Sequence, residues 1–276
     1  KLYFKREIDY SKYDFVIFNS IEPVYVFDKI AEINCPSIAV IHNLSFLELE
    51  KVSRFFSREI KCIPIVLAKH LKKRLDNFLS SFYVTPVYLG PYKNYAVDEK
   101  SFCAQGNFQL KRRNYQSMID GIEYLAGRGY HDFKVRVIGN HRTKDFYDFN
   151  LAINNRQAKM YMEYPFGTFL YKDYLNSISS NRFILPLIDK GLPDYEDYIN
   201  NKITSSVNMA LGLNIIPILT TEIAHLYELE DFAIMYDEPL GLGPAMLKGL
   251  LLDDEARAEA AARIEIKKNN FLTESQ

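Results

Sequence analysis

NRFILPLIDKGLPDYEDYINNKITSSVNMALGLNIIPIL, residues 181–219, sets two short apolar runs on either side of a polar loop and a helix-like segment. Phe183 to Ile188 and Ile215 to Leu219 read as buried strands, since each is a short apolar run bounded by polar residues. Between them Val207, Ala210 and Leu211 fall at i, i+3 and i+4, on one face of a short helix that opens at Thr204-Ser205-Ser206, with Gly212 as its stop signal. Such an opening presents unpaired backbone N–H groups and the positive end of the helix dipole, and Lys202 just upstream adds a full positive charge. Lys202, Ser205 and Ser206 therefore suit a diphosphate. Ser and Thr are also the ordinary N-caps of any helix, and a Lys before one is common on solvated surfaces. Position favours the ligand, because in open α/β sheets ligands sit beyond the carboxyl ends of the strands, where this loop lies.

Outward from this stretch the same alternation recurs. Asp14 to Asn19, Pro36 to Asn43, Ile63 to Leu67 and Val84 to Leu89 read as strands, separated by helical segments at Val24 to Ile33, Leu47 to Ile60 and Lys69 to Leu79. Gly90 to Asn94 reads as the exit from a first α/β domain, residues 1–95. A second, residues 96–276, opens with the strand Phe102 to Asn107, the basic cluster Lys111-Arg112-Arg113 and a helix over Tyr115 to Leu125. It continues with strands at Phe133 to Ile138, Met160 to Tyr164 and Phe232 to Tyr236. Helices are expected at Tyr171 to Ser180, Pro244 to Leu252 and Asp254 to about Lys268. Strands alternating with helices imply parallel sheets.

Composition limits the function. Of 276 residues, 48% are hydrophobic and 25% charged, which describes a globular chain rather than a disordered one. Lys+Arg 34 against Asp+Glu 35 leaves a formal charge of −1, so no global field attracts a nucleic-acid backbone. Cys35, Cys62 and Cys103 are far apart and form no C-x-x-C pair, as expected of structural thiols in a reducing compartment. No apolar run approaches a bilayer span and Lys1 to Asp9 lacks a secretory core. The expected location is the cytoplasm, with peripheral contact at the inner face of the membrane. Lys69, Lys72, Lys73 and Arg74 would serve such contact with an anionic surface, or would form a solvated helix face.

The second half resembles the nucleotide-sugar-binding domain of GT-B glycosyltransferases, the group 1 type found in bacterial surface-polysaccharide synthesis. The resemblance lies in the order of five segments, FCAQGNFQLKRRNYQSMIDGIEYL, FKVRVIGN, MYMEYPFGTFLYKDYLNSIS, RFILPLID and KITSSVNMALGLNIIPIL, over roughly residues 84–240. In the first domain PSIAVIHN resembles the strand that ends in a His near the donor sugar. The implied fold is two Rossmann-like domains facing a cleft, the N-terminal one shorter than the family's, with its first strand and glycine-rich loop expected upstream of Lys1.

By position the resemblance assigns Gly106 and Asn107 to backbone approach to the diphosphate, Arg113 to its charge, Gly139 with Asn140 to base or ribose, and His42 to the catalytic centre near the sugar. Tyr171 would support the nucleotide loop. Arg112 and Arg113 read equally well as a solvated cluster, and His42 as a structural residue. The two glutamates eight positions apart that many retaining members carry are replaced by Ile199 and Val207. Asp194-Tyr195-Glu196-Asp197 reads as a solvated acidic turn rather than a D-x-D metal site. The resemblance thus implies a metal-independent hexosyltransferase with no cofactor. Its partners would be a nucleotide-diphosphate sugar and a saccharide or lipid-linked acceptor of the lipopolysaccharide or capsule kind. The alternatives are a non-catalytic nucleotide-sugar-binding or docking module and a sugar-nucleotide epimerase.

Overall fold

A computed structural model describes residues 9–21, 30, 33–46, 56, 62–86, 96–165 and 171–274. The chain divides into two compact units, one of residues 1–85 with 200–203 and 275, the other of 86–199 with 204–274 and 276.

The first unit contains a four-stranded parallel sheet in the order β1 (Val16–Phe18), β2 (Ser37–Ile41), β3 (Cys62–Val66) and β4 (Phe82–Tyr83). Along β2, Ser37, Ala39 and Ile41 are buried and alternate with half-exposed neighbours, the two-residue period of a strand. Helix α1 (Lys69–Leu75) turns Leu71 and Leu75 into the core. It is shorter than the sequence predicts, and β4 stands before the expected Val84 to Leu89. The expected helices at Val24 to Ile33 and Leu47 to Ile60, and the exit at Gly90 to Asn94, lie largely or wholly outside the described residues.

The second unit is built on β5 (Asp98–Gln105), β6 (Lys134–Ile138), β7 (Met162–Glu163), β8 (Asn181–Ile184), β9 (Ile216–Thr220) and β10 (Ile234–Tyr236). They form one parallel sheet in the order β10-β9-β8-β5-β6-β7. From β5 the chain winds to one edge through β6 and β7, returns to the other side of β5 as β8, and winds outward again. The reversal between β5 and β8 is the topological switch point of a doubly wound sheet, where ligands bind beyond the strand ends. Ser101 to Gln105 are all buried, and Phe102 stacks on Phe183 of β8 with ring centroids 5.1 Å apart. Burying each such ring contributes roughly 1.5–3 kcal/mol.

Helix α2 (Tyr115–Gly127) follows β5. Asn114 caps it, its side chain accepting from the Ser117 N–H, and Tyr115, Met118, Ile119, Ile122 and Leu125 form the buried stripe. Helix α3 (Lys144–Ala152), which the sequence reading did not single out, is capped by Thr143 and buries Phe146 and Phe149. Then come α4 (Tyr171–Ser179), α5 (Tyr195–Asn200) and α6 (Ser205–Leu213). The acidic stretch read as a turn at Asp194 to Asp197 is largely the first turn of α5. Helices α7 (Thr221–Tyr227), α8 (Leu242–Leu250) and α9 (Asp254–Glu274) complete the unit. Ile178 of α4 and Met209 and Ala210 of α6 pack with Cys103, Ile138, Ile184 and Ile215, so one apolar cluster fixes both helices to the sheet.

Two boundaries in the deciding stretch differ from expectation. The first strand ends at Ile184 rather than Ile188, because Pro186 has no N–H to give a ladder and Leu187 takes φ 57°, outside the strand region. Gly212 lies inside α6, and the helix stops at Asn214, whose φ of 56° places it in the left-handed region that Asn tolerates at a helix end.

Candidate nucleotide site at the switch point

The loop after β5 is pinned before it reaches any ligand. Phe108 is fully buried, stacks on Tyr115 at 3.8 Å, and meets Phe146 edge-on and Phe149 at a tilt. The Leu110 N–H donates to Asp145 of α3 at 2.9 Å. Burial pushes the Tyr115 phenol up to about 12, with the Arg113 guanidinium opposing that rise. At the start of the loop Gly106 has φ 116°, and its N–H bonds Ile138 O at 2.9 Å. A Cβ on Gly139 would stand 1.8 Å from the Gly106 carbonyl oxygen. The carboxyl ends of β5 and β6 thus approach closely enough to require a residue without a side chain at 139.

Over Gly106 lies Arg113, whose Nη2 stands 3.0 Å from where a Gly106 Cβ would be. Its exposure is only 6%, which overturns the solvated-cluster alternative for this residue. Nη1 donates to Pro186 O at 2.6 Å and to Ser206 Oγ at 3.3 Å. Both partners are neutral, and among the described residues no carboxylate stands within ion-pair distance of it. A buried charge is costly unless paired or well hydrogen-bonded, and here the hydrogen bonds to Pro186 O and Ser206 Oγ supply the compensation. Arg112, by contrast, is half exposed and pairs with Asp194 at 3.4 Å.

The loop after β8 holds the root of this arginine. Asn114 N donates to Leu187 O at 2.8 Å, and Asn114 Nδ2 donates to Asp189 Oδ2 at 2.8 Å. Asp189 is 1% exposed and also accepts from the Gly191 N–H. On the far side of the switch point Gln105, the last residue of β5, donates from Nε2 to Ser205 Oγ and to Ser206 Oγ, each at 3.0 Å. Its Oε1 accepts the phenol proton of Tyr174 on α4.

The second unit therefore brings together Gly106, Arg113, Gly139, Ser205 and Ser206. Asn107 follows Gly106 and is exposed, as are Asn140 and Ser205, whereas Ser206 is fully buried. His42 and Lys202 belong to the first unit. His42 is exposed after β2 with Nε2 2.5 Å from Asn19 O, and Lys202 is 7% exposed and bridges to Asn43. Beside them burial lowers the His70 imidazole to about 4, with a Lys202 backbone bond opposing the fall, so that ring is neutral at pH 7.

Sequence reasoning missed Gln105, Tyr174, Asn114 and Asp189. Tyr171, assigned the supporting role, is 58% exposed, while Tyr174 one turn on reaches the strand end. The S/T/D/N-before-helix signal would have found Asn114.

A separate hollow of about 450 Å³, lined in part by His131, Phe133, Tyr161 and Glu163, lies at the amino end of β6, the opposite end from Gly139. Among the described residues no group of three or more His, Cys, Asp or Glu side chains is placed to hold a metal ion. Nor is any described helix long and apolar enough to cross a membrane. Lys72 of α1 pairs with Asp76.

Two all-parallel α/β sheets, the second doubly wound with glycine turns at its strand ends, form the α/β fold of the GT-B glycosyltransferases. Staphylococcus aureus TarM, solved as a point mutant with Fondaparinux, alpha-GlcNAc-glycerol and UDP, matches with a TM-score of 0.63 and 10% identity, over 91% of this chain and 52% of that one. The pneumococcal O-GlcNAc transferase GtfA, in complex with UDP and GlcNAc, matches at 0.61 and 12%, over 94% of this chain and 54% of that one. A UDP-forming α,α-trehalose-phosphate synthase from Burkholderia vietnamiensis matches at 0.62 and 7%, over 95% and 72%. The chain thus spans about half the length of TarM and GtfA. No protein-family model matches it, and no curated protein matches it in sequence.

Proposed function

We propose that this chain is a glycosyltransferase that moves a sugar from a nucleotide-diphosphate donor to a saccharide or lipid-linked acceptor in surface-polysaccharide synthesis. The observation that carries the reading is Arg113, buried at the switch point over a glycine turn and, among the described residues, hydrogen-bonded to neutral oxygens only. A departing nucleoside diphosphate gains negative charge as the glycosidic bond breaks, and fixed donors aimed at that charge lower the barrier. Gly106 and Asn107 would admit the phosphates to the backbone, Arg113 and the opening of α6 with the exposed Ser205 would hold them while the buried Ser206 holds Arg113 in place, and Gly139 would flank base or ribose. With cations and a helix dipole in this role, no metal ion is required of the donor site. TarM and GtfA are each solved in complex with UDP, which supports a uridine donor. The parts proposed for Lys202, as a further cation, and for His42, near the sugar, rest on the sequence resemblance and residue chemistry.

A second reading, a non-catalytic nucleotide-sugar binder, is favoured by Ile199 and Val207 in the places of the family's glutamate pair. Turnover separates the two. The intact chain, incubated with a panel of UDP-, GDP- and ADP-sugars, is expected to release nucleoside diphosphate slowly to water and faster once a saccharide acceptor is added. Binding without any release of diphosphate selects the binder, and no binding of any nucleotide removes both.

A further inference from the structure

We propose that Gln105 sets the hydrogen-bond polarity of the α6 opening, turning the Ser205 hydroxyl into a donor directed at an acceptor-only ligand. The proposal deepens the nucleotide-diphosphate reading and rests on it.

Gln105 is 1% exposed at the last position of β5, beside the switch point. An amide side chain has two N–H donors and one acceptor oxygen, whereas a hydroxyl has one proton and two lone pairs. Here the acceptor oxygen of Gln105 takes the Tyr174 phenol proton. Both N–H groups then point to α6, one to Ser205 Oγ and one to Ser206 Oγ. Each serine therefore accepts from the strand end and keeps its own proton for another partner. Ser206 Oγ accepts a second time, from Arg113 Nη1 at 3.3 Å, so both of its lone pairs are used. Ser206 is buried, but Ser205 is exposed, and its proton is the one a ligand can meet. Next to it Thr204 Oγ1 is buried, the residue being 2% exposed, and among the described residues it has no hydrogen-bond partner.

Phosphate oxygens only accept, so the Ser205 hydroxyl, which keeps its proton and has one of its two lone pairs engaged inward by Gln105, favours them over ligands that donate. Gln105 is a positioning residue in this scheme: it acts through Ser205 and touches no ligand itself. A glutamate in its place would accept both serine protons and reverse the polarity.

The test is a double-mutant cycle on the affinity of the 276-residue chain for UDP, with GDP and ADP in parallel. Gln105→Met keeps the volume and removes the donors. Ser205→Ala, at an exposed position, removes the proton offered to the ligand. Each single variant is expected to weaken binding about tenfold, and the double by about the same tenfold rather than a hundredfold, because both remove one interaction. Tyr174→Phe, a half-buried change that leaves the core filled, frees the amide to rotate and is expected to cost about threefold. It serves as the second variant should Gln105→Met lower the melting temperature.

A purely structural Gln105 would give additive losses in the cycle. Additivity, or wild-type affinity in both Gln105→Met and Tyr174→Phe, overturns the assignment while leaving the nucleotide site standing. A wild-type chain that binds none of the nucleotides overturns the parent reading and this inference with it.

Discussion

Gly139→Ala is expected to destabilise the second unit by about 4 kcal/mol or more, among the largest effects of any single methyl group in this chain. The added carbon would stand 1.8 Å from the Gly106 carbonyl oxygen and 2.7 Å from its carbon. Both are backbone atoms, so no rotamer change relieves the clash. The ends of β5 and β6 must part, and the 2.9 Å bond from Gly106 N to Ile138 O goes with them. Gly127→Ala is the control: nothing lies within 4 Å of its Cβ, and alanine is the better helix former by roughly 1 kcal/mol. Denaturant midpoints at equal protein concentration measure both. A Gly139→Ala chain as stable as the Gly127→Ala chain would show that the strand ends are not in contact.

Arg113→Gln is expected to separate binding from stability. Glutamine keeps an N–H₂ donor, two atoms short of the place from which Nη1 bonds Pro186 O and Ser206 Oγ, and removes the charge. Nucleoside diphosphate affinity should fall about 10- to 100-fold, the loss expected for one or two charge-assisted bonds of roughly 1.5–3 kcal/mol. Stability should change by no more than about 1 kcal/mol in either direction, since removing a buried charge without a carboxylate partner offsets the poorer fit. Titration calorimetry and melting on the same preparation read the two effects. Unchanged affinity with a large fall in stability would make Arg113 a structural clasp between the loops after β5 and β8.

Much of this architecture was legible in the sequence because its signals are local. The strand, glycine, basic cluster and helix over 102–125, and the hydroxyl opening of α6, each lie within one element and its flank. Arg113 could be chosen over Arg112 through the family pattern, but not on charge alone, and only the fold shows that one is buried and the other paired on the surface. Boundaries failed where one residue overruled a run. Leu187 is as apolar as its neighbours, yet its φ of 57° ends the strand environment that the run from Phe183 to Ile188 advertises.

Gln105 was illegible for a different reason. A polar residue at the end of an apolar strand looks like the start of a loop, and its partners Ser205 and Tyr174 are 100 and 69 residues away in the chain. Asp189 reads as a loop acid and becomes a buried anchor only when Asn114, 75 positions earlier, is brought beside it. Helix α3 escaped notice because only Phe146 and Phe149 of its nine residues are buried, too few to mark a period.

The central claim, a diphosphate held at the reversal between β5 and β8, is tested most directly by a crystal structure of the chain with UDP. The account places the phosphates within hydrogen-bond reach of the Gly106 backbone, the Arg113 guanidinium and the Ser205 hydroxyl. Electron density for the nucleotide in the hollow beside His131, at the other end of β6, or a guanidinium still bonded to Pro186 and Ser206 alone with UDP bound elsewhere, would contradict it.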